Sequence, residues 1–254
     1  MPEVHAKLSA SGAKRWLACP KSVALESYFP EVRTDYAEEG TKAHAYGEWF
    51  LNKYIEYGTL EVKEVFDKSV ALKNENPEMH ANVIAYVEYC IDKYLERSMQ
   101  YGNALMLVEE RLDFSNIVPG GFGTGDCLII SNNTLDIIDL KYGKGVPVSA
   151  EENPQLRLYA VGALNDLECI YGNLENISTT IFQPRLKSIE TEVLLKDELL
   201  VWAKDYVAPK AKIADKNKGS YNPGEEQCKF CKAKATCRAR ANKILSSIQK
   251  ILNL

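Results

Sequence analysis

The sequence predicts an α/β fold with a mixed central β-sheet flanked by helices, and three observations carry that expectation. Apolar residues recur at helical spacing through most of the first hundred positions. From Ala104 the apolar period shortens to two, the signature of strands. A helical stretch from Asn153 to about Tyr171 then interrupts the strands, and further helices close the chain. Helices before, within and after a run of strands pack as layers on a sheet that mixes antiparallel hairpins with a parallel crossover.

Taken in order, Ser9 to Phe29 predicts a helix broken near Cys19-Pro20, because proline cannot continue a helical ladder yet is tolerated in a first turn. Glu38 to Tyr57 and Asn76 to Gln100 predict two more helices. In the second, Asn76 serves as cap, Pro77 fits the first turn, and Val83, Ile84, Val87, Ile91, Tyr94 and Leu95 repeat on one face. Ala104 to Phe114, Gly125 to Ser131 and Thr134 to Lys141 read as strands. After the helix at Asn153, strands are expected near Ile177 to Gln183 and Ile189 to Leu195. Helices follow at Lys196 to Asp215 and Lys232 to Leu254, separated by the polar loop KNKGSYNPGEE. The expectation is one domain over residues 1–254: a helical part (1–103), a sheet core (104–195) and a second helical part (196–254).

Composition bounds the function. The 254 residues are 46% hydrophobic, enough to bury a substantial core. No apolar run approaches the ~20 residues needed to cross a bilayer, and MPEVHAKLSASGAK lacks the apolar centre of a signal peptide, so a soluble, cytoplasmic protein without membrane contact is expected. A net charge of −4 argues against nucleic-acid binding by the chain as a whole. A local patch is a different matter: QCKFCKAKATCRARANK carries Lys229, Lys232, Lys234, Arg238, Arg240 and Lys243 and no acid. Seven cysteines, an odd number in a chain with no secretory signal, argue against a disulfide framework. Cys90, Cys127 and Cys169 sit within apolar patterns as small core residues.

The stretch GTGDCLIISNNTLDIIDLKYGKG holds the chemistry. Asparagine tolerates positive φ, so Asn132-Asn133 predicts a two-residue turn with Ser131 paired to Thr134. That register sets Asp126 opposite Asp139, and alternation puts Leu128, Ile130, Leu135, Ile137, both aspartates and Lys141 on one face. Like charges about 4.5–5.5 Å apart at the margin of a core destabilise a sheet unless a cation lies between them. Oxygen ligands favour a hard divalent ion such as Mg²⁺ or Mn²⁺, which acidifies a bound water, and Lys141 is placed to stabilise charge developing on a phosphate. A surface cluster in which Lys141 neutralises two exposed aspartates is the alternative.

These residues resemble the motif series of the PD-(D/E)XK nuclease superfamily, in its RecB-like branch: Gly125-Asp126, then Asp139-Leu140-Lys141, then Gln155-x-x-x-Tyr159, with His44 and Gly40 in EEGTKAHAYGE matching the upstream Gly-x-x-x-His element. The resemblance implies a restriction-endonuclease-like core. It also implies Asp126 and Asp139 as metal ligands, assisted by the Leu140 carbonyl, with His44 as a further ligand and Lys141 as the catalytic lysine. Gln155 and Tyr159, four apart on one helix face, would point at the site or at DNA. Glu109 resembles the superfamily's accessory acid.

Cys228, Cys231 and Cys237 form a C-x₂-C-x₅-C triplet one ligand short, and Cys19 is the expected fourth. Spacing alone leaves zinc and an iron–sulfur cluster equally open. One cysteine before the nuclease motifs and three after them resembles the iron–sulfur members of the branch, such as the AddB nuclease domain and CRISPR adaptation nucleases. That likeness implies a [4Fe–4S] cluster joining the terminal segments. It also implies that the basic run around the triplet lies beside the active-site cleft and holds a phosphate backbone.

GFGTGD, DLKYGKGVPV and AEENPQLRLYAVGAL further resemble a phage and prophage family of unknown function, with matching runs over most of residues 8 to 240; its members often extend beyond the triplet. Together the resemblances imply a deoxyribonuclease in a bacterial host cell, acting at DNA ends beside phage recombination or replication proteins. A silent DNA-binding module on a nuclease scaffold, and an endonuclease or nickase within a replication complex, are the alternative readings. The intact Asp126, Asp139 and Lys141 favour an active enzyme.

Overall fold

The structure, a computed structural model, describes residues 6–30, 34–172 and 174–252. Its backbone packing separates two compact units. One comprises Arg33–Leu112 and Thr124–Leu199; the other comprises Met1–Val32, Asp113–Gly123 and Leu200–Leu254.

The first unit holds three helices, a five-stranded sheet and a crossover helix. Helix α3 (Asp35–Tyr57) starts where the Thr34 side chain accepts the Ala37 N–H, and ends at Gly58, whose φ of +70° suits only a residue without Cβ. Helix α5 (Pro77–Tyr101) is capped by Asn76 on the Met79 N–H, with Pro77 in its first turn, as expected. Between them lies α4 (Lys63–Glu75), a helix the sequence reading passed over. Its buried residues are only Val65 and Leu72, too few to impose a visible period.

Strands β1 (Leu105–Asp113), β2 (Phe122–Ser131), β3 (Thr134–Leu140), β4 (Asn176–Gln183) and β5 (Ser188–Leu195) are neighbours in that order. β2 and β3 are antiparallel, β3 and β4 parallel, β4 and β5 antiparallel. The mixed sheet follows from its connections: a two-residue reversal joins β2 to β3, whereas the parallel step to β4 needs helix α6 (Pro154–Tyr171) as crossover. Asn132 has φ +51° in the reversal, and the ladder begins at Ser131–Thr134, the expected register. One sheet face, with Met106, Cys127, Ile129, Ile138, Leu140 and Phe182, packs into a core with Phe50, Leu51, Val83, Tyr86, Val87 and Cys90. Helix α6 packs on β3 and β4. Cys90 and Cys127 are core residues, as read from sequence; the side chain of Cys169 lies outside the described residues.

In the second unit the expected helix over Ser9 to Phe29 is two short ones, α1 (Ala13–Ala18) and α2 (Ser22–Glu26), separated at Cys19-Pro20. The expected helix from Lys196 comprises α7 (Lys196–Val201), whose first four residues belong to the first unit, a π-helical turn over Trp202–Val207 and α8 (Ala208–Asp215). Pro209, near the start of α8, has no N–H to donate, and the wider i→i+5 turn precedes it. One expectation is corrected. The helix placed from Lys232 begins only at Arg238, after the five-residue helix α9 (Glu225–Lys229). Tight turns with Lys234 N–H on Cys231 O and Thr236 N–H on Ala233 O occupy the cysteine segment, and α10 runs over Arg238–Ile251. No helix of the described residues is long and apolar enough to cross a membrane.

Candidate metal centre

The β2–β3 ladder runs as far as Cys127–Ile138, one step short of Asp126 and Asp139. Where it ends, the Asp126 carboxylate bridges the strands, accepting the Leu140 N–H on Oδ2 at 2.7 Å. Leu140 therefore meets Asp126 through its N–H, and its side chain is fully buried. The other Asp126 oxygen lies 3.4 Å from Nδ1 of His44, carried by α3. Glu109, on β1, completes the set: one ligand atom from each of His44, Glu109 and Asp126 lies within 4.8 Å of the others. Glu109 has φ +52°, a costly conformation for a non-glycine residue within a strand.

Asp139 is 2% exposed and takes different partners. Its Oδ1 accepts from Gln155 Nε2 at 3.3 Å, while Oδ2 lies 2.7 Å from Lys141 Nζ. The second contact is a close ion pair, so both carboxylate oxygens of Asp139 have partners. Lys141 donates to Gln155 Oε1 at 3.2 Å, and Gln155 Nε2 donates to the Tyr159 hydroxyl at 2.9 Å. Asn153 caps α6 through the N–H groups of Gln155 and Leu156, and one helical turn separates Gln155 from Tyr159. All of these residues, from His44 to Tyr159, belong to the first unit.

The electrostatics are those of crowded acids. Burial, and after it the charge of Asp126, pushes the Glu109 carboxyl up to about 7. Burial raises the Asp139 carboxyl; Lys141 opposes this and Asp126 adds to it. Burial works against the Lys141 ammonium, but Asp139 and Asp126 outweigh it and hold the lysine charged. Burial likewise lowers His44, yet its contact with Asp126 more than compensates and the imidazole titrates above its ordinary range. Burial and the Asp139 charge raise the Tyr159 hydroxyl.

Two features escaped sequence reasoning. Glu48, one turn after His44 on α3, adds its charge to the field on Glu109; its i+4 spacing from His44 was the available signal. Arg185, with its side chain 4% exposed, pairs with Glu39 of α3 at 2.8 Å and Glu78 of α5 at 2.9 Å, and lies over the Tyr142 ring at 4.7 Å. It fastens the start of α3, one turn ahead of His44, to the segment that follows Lys141; no local pattern marks such a residue.

The cysteines lie in the second unit. Cys19, Cys228, Cys231 and Cys237 line one small cavity, and the Asn222 N–H donates to Cys19 Sγ at 3.3 Å. All four are free thiols, and burial raises Cys19 and Cys231. Their sulfurs are not gathered as compactly as the His44, Glu109 and Asp126 ligand atoms. Lys229, Lys232, Lys234, Arg238, Arg240 and Lys243 lie within this segment or just after it in the chain, in the same unit.

Solved structures similar to this chain include the following two. One, from Eubacterium rectale and named "Putative exonuclease", is 13% identical, with 92% of this chain and 87% of that chain covered and a TM-score of 0.42. The other, SSO0001, is 15% identical, with 87% and 95% covered and a TM-score of 0.34. At these identities and scores neither neighbour informs the chemistry of the site. The family described as "Protein of unknown function (DUF2800)" matches residues 5–253, nearly the full length, and the chain belongs to that family.

Proposed function

We propose that the protein is a divalent-metal-dependent deoxyribonuclease, hydrolysing phosphodiester bonds at DNA ends. One observation carries the reading: His44, Glu109 and Asp126 converge within 4.8 Å beside a buried Asp139 that is paired with the Lys141 ammonium at 2.7 Å. Three carboxylates around one imidazole repel each other in a desolvated site, and a hard cation relieves the repulsion. The donor set therefore fits Mg²⁺ or Mn²⁺, which Asp126, Glu109 and His44 would hold. Such an ion supplies Lewis acidity toward a phosphoryl oxygen and makes a water more acidic.

The chain's own groups do the rest. Lys141, kept charged by Asp139, presents a positive charge to the anionic oxygens of the scissile phosphate, where charge grows as the bond breaks. Gln155 holds the Lys141–Asp139 pair in place from both sides, accepting from the ammonium and donating to the carboxylate. Tyr159 stays protonated and caps the Gln155 amide. Arg185 fixes the start of α3 and so the placing of His44.

We further propose a [4Fe–4S] cluster on Cys19, Cys228, Cys231 and Cys237; four free thiols lining one cavity support a shared metal group there. Purified anaerobically, the protein should carry about four iron and four sulfide per chain, and a colourless protein with one zinc would replace the cluster assignment.

The nuclease test is direct. End-labelled linear and closed circular DNA are incubated with Mn²⁺ or chelator under reducing, anaerobic conditions. Metal-dependent loss of linear DNA alone is expected. Cutting of circles would make it an endonuclease, and binding without cutting would leave a DNA-binding module.

A further inference from the structure

We propose that the groove along α10 is a docking site for an acidic amphipathic helix of a partner protein. It does not rest on the nuclease reading, and it gives to a protein partner four cations that the family resemblance would place on a phosphate backbone. The groove has a volume of about 790 Å³ and lies between α10 and the segment from Pro223 to Ala235, all within the second unit. Helix α10 has no buried residue, although it is strongly two-faced. Ile244, Ile248 and Ile251 line the groove at i, i+4 and i+7, and are 44%, 46% and 80% exposed. That is the spacing by which one helix receives the apolar stripe of another.

Charge narrows the occupant. Lys229, Lys234, Arg240 and Lys243 also line the groove. Arg240 donates to Lys234 O, Lys234 to Lys229 O and Lys243 to Pro223 O, so their protons meet neutral carbonyls. Among the described residues none of these three cations forms an ion pair, and α10 contains no acid. Glu225 is the one acid of the lining. A groove lined by isoleucines and by cations complements a helix with a leucine-type stripe flanked by glutamates or aspartates. A second copy docking through α10 would set Arg238, Arg240, Lys243 and Lys250 against their own copies. A nucleic-acid backbone would satisfy the cations but leave three isoleucines in water.

The test uses the whole chain and a labelled synthetic peptide of about 18 residues, five helical turns, with leucines at i, i+3, i+4 and i+7 and glutamates elsewhere. The comparators are a scrambled peptide of equal composition and a short DNA duplex. Fluorescence anisotropy should show the helical peptide binding at least about tenfold tighter than the scramble, with affinity falling as salt rises. Ile248→Ser and Lys243→Glu should each weaken binding about tenfold or more, with circular dichroism unchanged. Equal binding of both peptides overturns the proposal. Displacement of the peptide by duplex, with Ile248→Ser without effect, assigns the groove to nucleic acid. Self-association abolished by Ile248→Ser assigns it to a second copy.

Discussion

Asp139 and Lys141 illustrate how two charges share one buried corner. Without the lysine, Asp139 would be a desolvated carboxylate facing Asp126, and without the carboxylate the ammonium would lose its counter-ion. On the proposed nuclease reading, Lys141→Ala is therefore expected to lower the cleavage rate at least about a hundredfold, the scale seen when one preorganised electrostatic partner of a transition state is removed. DNA binding measured with Ca²⁺ in place of Mg²⁺ should change far less; parallel loss of binding and cleavage would refute the catalytic role. A second buried pair gives a stability prediction. Arg97 of α5 grips Asp136 of β3 through Nε at 2.7 Å and Nη2 at 2.8 Å, and Asp136 is 1% exposed. Arg97→Ala should cost about 3–5 kcal/mol in urea unfolding, because it strands a buried carboxylate. Asp136→Leu added to Arg97→Met should recover most of that loss. Neither partner is identifiable from its neighbours in the sequence, since the pair joins elements far apart in the chain.

At the scale of elements, the hairpin was legible. Asn132-Asn133 between two apolar runs specified the turn, the turn specified the register, and alternation assigned the faces. Helix α4 was not legible, because a helix that buries two side chains takes its stability from packing rather than from a visible stripe. The cysteine segment misled for a related reason: its composition suits a helix, but the chain turns tightly from Cys231 to Cys237. Attachment of α6 to the sheet edge gives a pH prediction. Arg157 of α6 pairs with Glu192 of β5, which also accepts the Glu152 N–H. Burial opposes ionisation of Glu192, but the Arg157 guanidinium outweighs it and holds the carboxyl below its ordinary range. A group depressed on folding stabilises above its unfolded pKa, about 4.3, and loses that contribution as pH falls through the folded value. Glu192→Gln should thus be less stable than wild type at pH 7, and the gap should close below pH ~4. A gap unchanged with pH in thermal melts would show that the ion pair contributes nothing.

For the whole molecule, segments from the two ends of the chain share one compact unit, linked by Lys7–Asp215 and Lys14–Glu226 ion pairs and by the Lys232 N–H on Glu26. The pairs are exposed and contribute little, so the cysteine cavity is the natural place for a stronger tie. If the proposed cluster is bound there, Cys231→Ser should lower iron content and the melting temperature by several degrees, whereas a wild type free of iron and zinc that melts no higher than Cys231→Ser would remove any structural role for a metal at the thiols. By itself the sequence determined the mixed sheet with its helices, the register of the central hairpin and the faces of its strands, because these follow from local dihedral preferences and apolar period. Tertiary structure alone decided that Glu109, from a strained strand position, joins His44 and Asp126, and that Asp139 turns to Lys141 and Gln155 instead. Which acid meets which partner depends on the packing and mutual repulsion of side chains from several separate elements, and no stretch of one strand contains that information.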